Sequence, residues 1–276
     1  MCPTNAVYNS CNQPNPNKGW FMKDYKKLAN EARRTILKMV HHAKTSHIAS
    51  NFSVIDIATV LYENLKDGDE VVWSKGWAAA AIYYFLAKQG KIPFEDLDKF
   101  GKEIDGKIQY LGLAETTTPG VQVNGGSVGH GLPIAVGIAK AKKLMGEKGT
   151  VYCILSDGEL NEGTVWESAA YAHTHALDNL VILVDANGWQ AMGKTKEVID
   201  IDPQKAFEGF QLESIEIDGH SFLSIEGALL MPRYKPLAIT CKTIKGKGVS
   251  FFEDHLLFHY KHVEEDEYAK ALAELN

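Results

Sequence analysis

Residues 151–190, VYCILSDGELNEGTVWESAAYAHTHALDNLVILVDANGWQ, constrain this chain more than any other stretch. The stretch opens on a β-branched, apolar run, 151–155, of the kind that is buried on both faces of a parallel sheet. The run stops at Ser156, Asp157 and Gly158, so a short acid and a glycine follow the strand's carboxyl end. A helix is expected next, packed through Val165, Ala169, Ala170 and Ala172, with Glu159 and Glu162 in its first turn where acids suit the helix dipole. A second buried strand, 180–184, ends at Asp185, Ala186, Asn187 and Gly188. Two parallel strands joined by a helix carry Asp157 and Asn187 to one edge of one sheet. The expected fold class is therefore α/β: a doubly wound, mostly parallel sheet with helices on both faces.

That edge restricts the chemistry. Ligands of open α/β sheets sit outside the carboxyl ends of the strands, and a helix N-terminus there favours phosphate. One carboxylate (Asp157), one amide oxygen (Asn187) and the backbone carbonyl of Trp189 form a sparse oxygen set. Such a set suits Mg2+ completed by phosphate oxygens and water, because magnesium rarely takes an all-protein cage; Ca2+ or Mn2+ are the substitutes. Taken singly, Asp157 reads as a helix cap and Asn187-Gly188 as a turn. The 30-residue spacing from 157 to 187, with SDGELNEG and DANGWQ together, favours a site.

These residues resemble the thiamine-diphosphate motif in the form it takes in transketolases, GDGE-x-x-EG-x-x-WE…LDNL…D-x-N-x-x-Q. The match runs through Asp157-Gly158-Glu159, Glu162-Gly163, Trp166-Glu167, 177–180, Asp185, Asn187 and Gln190. Ser156 replaces the family's usual glycine, a change that is harmless where the backbone is not left-handed. The resemblance implies thiamine diphosphate and a divalent metal as cofactors, with Asp157, Asn187 and Trp189 as metal ligands and Gly158 and Glu159 near the cofactor.

Composition excludes other classes. The 276 residues are 45% apolar and 23% charged, ordinary for a globular chain able to bury a sizeable core. A net charge of −6 argues against nucleic acid as a partner. No apolar run approaches the ~20 residues of a membrane helix, and the first twenty residues lack the features of a secretory signal. Cys2, Cys11, Cys153 and Cys241 show no metal spacing, so reduced thiols and a cytoplasmic location are expected. Residues 1–20, rich in Asn, Pro and Lys, read as a flexible lead-in, and 21–276 as one thiamine-diphosphate-binding domain.

In chain order, helical periodicity covers 22–43, residues 44–50 read as a loop, and Ser53 as the cap of the next helix. Transketolases write AKSGHPGG where this chain has AKTSHIAS, which places His47 on a histidine that the family aims at the diphosphate and the reacting carbons. SKGW, 74–77, stands where the family has SKGH, so Trp77 replaces a cofactor- and substrate-facing histidine. An indole donates one N–H and fills volume, whereas imidazole can also accept or relay a proton. Trp77 is expected to line and narrow the mouth of the site. A third family histidine is absent between 100 and 128. Losing groups that bind sugar hydroxyls should change which substrates are accepted. GGSVGHG, 125–131, resembles the family's second cofactor loop, so Gly126, Ser127 and Val128 are cofactor-contact candidates. His130 and His220 read as structural. Residues 193–202 read as a loop. TIKGKGVSFFEDHLLFHY resembles the family's TIKGKGVSFMEN…WHG, giving Lys245 a phosphate role and His259 a place near substrate.

The resemblance ends where the first third to half of a full-length transketolase ends. Thiamine chemistry needs an activated ring carbon, and relatives supply the activating glutamate from a pyrimidine-binding domain that this chain lacks. The implied protein is the diphosphate-binding subunit of a split enzyme, active only with a chain carrying the pyrimidine and C-terminal domains. An α2β2 assembly follows from the family, with Glu162 at the shared interface. Its expected reaction is transfer of a two-carbon ketol unit from a ketose to an aldose, acting on small sugars or sugar phosphates, with His47, His259 and Glu162 assisting. Decarboxylation of a 2-oxo acid by a synthase or dehydrogenase component is the second reading. A non-catalytic cofactor-binding subunit is the third, and paired metal ligands speak against it.

Overall fold

The computed structural model describes residues 23–275, so the lead-in expected at 1–20 lies outside the described residues. The five strands of the main sheet are β1 (Glu70–Trp73), β2 (Val151–Ser156), β3 (Leu180–Ala186), β4 (Glu213–Asp218) and β5 (Leu237–Lys242). They lie in the order β1-β2-β3-β5-β4, and every pairing is parallel. Parallel neighbours need crossovers, and helices supply them: α1 (Tyr25–Ala43), α2 (Ile48–Ser53), α3 (Ile55–Asn64), α4 (Ala79–Lys88), α5 (Gly131–Met145), α6 (Gly163–Thr174), α7 (Pro203–Gly209), α8 (Phe222–Leu229) and α9 (Glu265–Glu274). Among the described residues no helix is long and apolar enough to cross a membrane.

The alternation of side chains along each strand divides the core in two. Val71, Trp73, Tyr152, Ile154, Val181, Leu183 and Ile239 face α1–α4, α8 and α9. Val72, Val151, Cys153, Leu155, Ile182, Val184 and Ala238 face α5, α6 and α7. Both faces are covered, which is why β2 and β3 are apolar without a break. Among the described residues the two cysteines are buried free thiols, Cys153 on one face and Cys241 on the other.

Register decides the site. Ser156 lies opposite Asp185, and Asp185 opposite Cys241. The residues just past these pairs, Asp157, Asn187 and Thr243, therefore emerge side by side at the carboxyl edge, next to Ser74 and Lys75 at the end of β1.

Several local expectations change. Ser53 does not cap a helix: 48–53 is already helical, Ser53 is its buried last residue, and α3 starts at Ile55. The loop before it shrinks to 44–47, and His47 adopts a left-handed conformation (φ 71°) at the head of α2. Glu159 is not in the first turn of α6. It lies in a separate 3-10 turn, Asp157–Asn161, and Glu162 occupies the residue before α6. Residues 193–202 are not all loop: Trp189–Gln190 pairs with Gly193–Lys194 in a small antiparallel hairpin, and Thr195–Val198 is a helical turn. Ser156 has φ −89°, extended backbone, so it needs no glycine.

Candidate active site

Asp157 and Asn187 line one cavity of about 220 Å3 at the edge of the sheet. Each is 7% exposed. Asp157 Oδ2 accepts from the Gly188 N–H at 2.7 Å and Oδ1 from the Gly158 N–H at 3.0 Å. No cation pairs with it among the described residues. Burial, and then the charge of neighbouring Asp185, push its carboxyl from 3.8 up to about 7, against the pull of Gly188, Lys75 and Lys245. Asn187 Oδ1 accepts from the Trp189 N–H at 3.1 Å, so the turn reading of Asn187 is also realised. One lone pair of that oxygen remains for a ligand. The Trp189 indole donates to Asp254 and lies under Lys194, 4.9 Å from its ammonium. Among the described residues no group of three His, Cys, Asp or Glu forms a metal cluster.

Asp185, one strand position earlier, is a different carboxylate. It is fully buried and collects Lys75 Nζ, Ser53 Oγ at 2.7 Å and Thr243 Oγ1. Burial alone would raise its proton affinity, but Lys75, Thr243 and Ser53 hold it below the usual carboxylate range. Sequence reading assigned Lys75 and Thr243 no role and Ser53 only that of a helix cap. A signal existed: an aspartate inside an apolar strand must find a partner or forfeit several kcal/mol.

Glu159 is the joint of the glycine loop. It is fully buried and accepts from the Ser156 N–H at 2.7 Å, Ser156 Oγ at 2.9 Å, the Gly129 N–H at 3.0 Å and Ser74 Oγ. Ser74 Oγ in turn accepts from the Gly131 N–H at 3.0 Å. One carboxylate thus pins the ends of β1 and β2 to the loop and leaves no face for a ligand, so Glu159 braces the site instead of lining it. The loop packs as tightly as glycine allows: a Cβ on Gly76 would stand 2.5 Å from Gly125 Cα. Gly126 (φ 110°) instead has open space, with only a Leu113 methyl 3.5 Å from a built Cβ. Ser127 is exposed and Val128 half-buried, with Ser127 Oγ 3.3 Å from His130 Nε2.

His47 and Trp77 line a second cleft of about 620 Å3 with Leu111, Leu113, Glu115 and Tyr260. The two rings stack, 4.4 Å between centroids and 19° between planes. His259 meets the His47 ring edge-on at 4.7 Å, and its Nδ1 lies 2.9 Å from Lys245 Nζ. Burial, then the charges of Lys245 and Lys75, lower His47 to about 4. Burial, then Lys245, His47 and Lys75, lower His259 to about 3. Both rings are neutral at physiological pH. Lys245 is 2% exposed and has no carboxylate within ion-pair distance among the described residues. Burial, then Lys75, bring it down to about 8 against the pull of Asp157 and Asp185.

The edge therefore holds a buried carboxylate without a cation and a buried ammonium without an anion. A divalent metal bound to a diphosphate supplies both missing partners, so the residues present fit that pair. Glu162 stands half-buried beside Gly129, with no side-chain hydrogen bond among the described residues.

Comparison with known proteins agrees in extent and kind. The family "Transketolase, thiamine diphosphate binding domain" matches residues 25–275. A relative from Actinobacillus succinogenes, named as one of the subunits of an apulose-4-phosphate transketolase, is 35% identical over 266 residues, covering 91% of this chain and 96% of that protein. A 6-deoxy-6-sulfo-D-fructose transketolase subunit from Clostridium sp. is 31% identical with the same coverage, 91% and 96%. The crystal structure of transketolase from Campylobacter jejuni superposes with a TM-score of 0.84 at 30% identity; the match takes in 91% of this chain but 42% of that one. With a match that runs almost end to end through the described residues, this chain belongs to the transketolase family, as its thiamine-diphosphate-binding part.

Proposed function

We propose that this chain is the diphosphate- and metal-binding subunit of a transketolase-type enzyme that moves a two-carbon ketol unit from a ketose to an aldehyde acceptor. The observation that carries the reading is the pair of unmatched buried charges, Asp157 and Lys245, on one sheet edge. Asp157, Asn187 and the Trp189 carbonyl would hold Mg2+. The backbone of Gly126, Ser127, Val128 and Gly158, with Lys245, would receive the diphosphate. When bound, thiamine diphosphate supplies the nucleophilic carbon and the electron sink for breaking a ketose C2–C3 bond.

The chain's own residues do the rest. His47 is neutral, so its free ring nitrogen can accept a sugar hydroxyl proton and return it. His259 is also neutral, but its Nδ1 accepts from the Lys245 ammonium at 2.9 Å, so it presents Nε2–H and can donate to a sugar oxygen. His47 is held for this by Ser46, whose Oγ lies 2.6 Å from Nδ1, leaving Nε2 for a ligand. Trp77 covers one face of His47 and offers a donor but no acceptor. That favours substrates lacking a hydroxyl that an imidazole would bind. The two relatives just described carry names of unusual sugars, apulose-4-phosphate and 6-deoxy-6-sulfo-D-fructose. Substrates outside the ordinary ketose phosphates are consistent with those names.

The Actinobacillus and Clostridium relatives are named as subunits, which supports a second chain that carries the pyrimidine-binding part. Residues 21–276 would act as one domain, joined to that chain in an α2β2 assembly, with Glu162 at the junction. The test is calorimetry of the two-chain complex with thiamine diphosphate. Binding should need Mg2+ and vanish with EDTA or in Asp157→Ala, and the complex should lengthen an aldehyde by two carbons. Undiminished affinity in Asp157→Ala would sink the metal assignment.

A further inference from the structure

A second buried charge cluster lies behind the cleft and ends on the loop that carries Lys245. Arg33 on α1 grips Asp56 on α3 at two points, Nη1 and Nη2 each 2.8 Å from a carboxylate oxygen. The same carboxylate lies 2.8 Å from Nδ1 of His220, in the turn between β4 and α8. Burial alone would raise Asp56, yet His220 and Arg33 hold it below the usual carboxylate range, so it is ionised. The side chains of Arg33, Asp56 and His220 are 5%, 6% and 14% exposed.

Both partners of Asp56 reach on to one segment, 244–248. Arg33 Nε donates to the Lys247 carbonyl at 2.8 Å, and the Ile244 N–H donates to His220 Nε2 at 2.8 Å. A backbone N–H can only donate, so Nε2 carries no proton. The ring hydrogen is on Nδ1 and is given to Asp56. One neutral tautomer makes both bonds, and the carboxylate fixes which tautomer it is. Between the two anchored groups stands Lys245. The Gly246 N–H adds a third tie, to the Ala49 carbonyl at 3.0 Å, two residues from His47.

An ammonium buried without a carboxylate is driven toward water, and its four-carbon stem is flexible. Beyond its 2.9 Å contact with His259 Nδ1, Lys245 stays aimed inward because its backbone cannot swing. We infer that His220 is a positioning residue: by accepting the Ile244 N–H while donating to Asp56, it holds segment 244–248 so that Lys245 points into the diphosphate site. The inference rests on the cofactor reading above for what Lys245 meets, and on the hydrogen bonds alone for what holds it.

Two amides separate the roles of the ring nitrogens. His220→Gln sets an oxygen near the place of Nε2, so Ile244 keeps its acceptor. His220→Asn sets its amide near Nδ1, so Asp56 keeps a donor and Ile244 loses its acceptor. In the two-chain complex at fixed Mg2+, thiamine diphosphate affinity should be close to wild type for Gln and about tenfold weaker for Asn and for His220→Ala, the loss of about one hydrogen bond. Amide exchange at 244–248, measured without cofactor, should follow the same order. A ring that merely braces Asp56 predicts the reverse, with Asn nearest wild type. While the wild type binds, a Gln variant no better than the Asn variant in either measurement overturns the inference. If the wild type itself fails to bind, the cofactor reading falls, and the order of amide exchange alone decides whether His220 holds the loop.

Discussion

Replacing Asp157 by Asn should stabilise the cofactor-free protein at alkaline pH while removing its function, and the size of the gain follows from the site. The carboxyl titrates near 3.8 when free and at about 7 in the fold. Below pH 3.8 both states hold the proton and nothing is lost. Between 3.8 and 7 the unfolded chain gives up the proton while the folded chain keeps it, so stability falls by about 1.4 kcal/mol for each unit of pH. Above pH 7 the loss is constant, about 4 kcal/mol. Asn carries no such penalty but can accept only one of the two N–H groups of Gly158 and Gly188, a cost of about 1 kcal/mol. The net gain for Asn is about 3 kcal/mol at pH 8 and under about 1 kcal/mol at pH 5. For a protein of this size a gain of 3 kcal/mol raises Tm by about 6–12 °C. Thermal unfolding in EDTA at both pH values measures this, and calorimetry of the same variant should show no Mg2+-dependent cofactor binding. A stability difference that is equal at pH 5 and pH 8, or an Asn variant less stable at pH 8, would refute the unmatched-carboxylate argument. The metal site would then need another explanation.

Lys75→Met leaves Asp185 buried with hydroxyls but no cation, and should cost about 3–5 kcal/mol in denaturant unfolding; a loss under about 1 kcal/mol would show that the pair is replaceable. Gly76→Ala puts a methyl 2.5 Å from Gly125 Cα and should push the glycine loop off β1, lowering both Tm and cofactor affinity; unchanged affinity would show the loop is not the diphosphate cradle. Cofactor affinity should decline as pH rises past about 8, where Lys245 loses its proton in the free protein, and Lys245→Met should flatten that limb of the pH profile. Trp77→His should raise kcat/KM for ordinary ketose phosphates relative to the native substrate, because it uncovers His47 and restores an acceptor; an unchanged ratio would make Trp77 packing alone.

The legible part of this protein was the part encoded in short runs. Residues 151–155 and 180–184 are apolar without interruption because both faces of β2 and β3 are covered, and that burial writes itself into composition. Asp157 and Asn187 follow those runs immediately, so finding the strands was enough to find the edge. Helix boundaries were less legible. Ser53 looked like a cap because serine before an apolar helix usually is one, whereas here its hydroxyl serves Asp185, 132 positions away in sequence. Glu159 looked like a ligand because it stands in the motif; its depth beneath the glycine loop comes from how β1, β2 and that loop meet.

By itself, the sequence determined the class of fold and the placing of Asp157 and Asn187, two of the three metal-ligand candidates, at the ends of adjacent strands. Tertiary structure alone decided which charge meets which. Lys75 finds Asp185 across 110 residues, and Arg33 reaches the Lys247 carbonyl across 214. It also left Asp157 and Lys245 without an ion-pair partner among the described residues. The reason is physical: burial of an apolar face depends on local periodicity, whereas an ion pair depends on register and strand order, which bring distant residues together and leave no trace in local spacing.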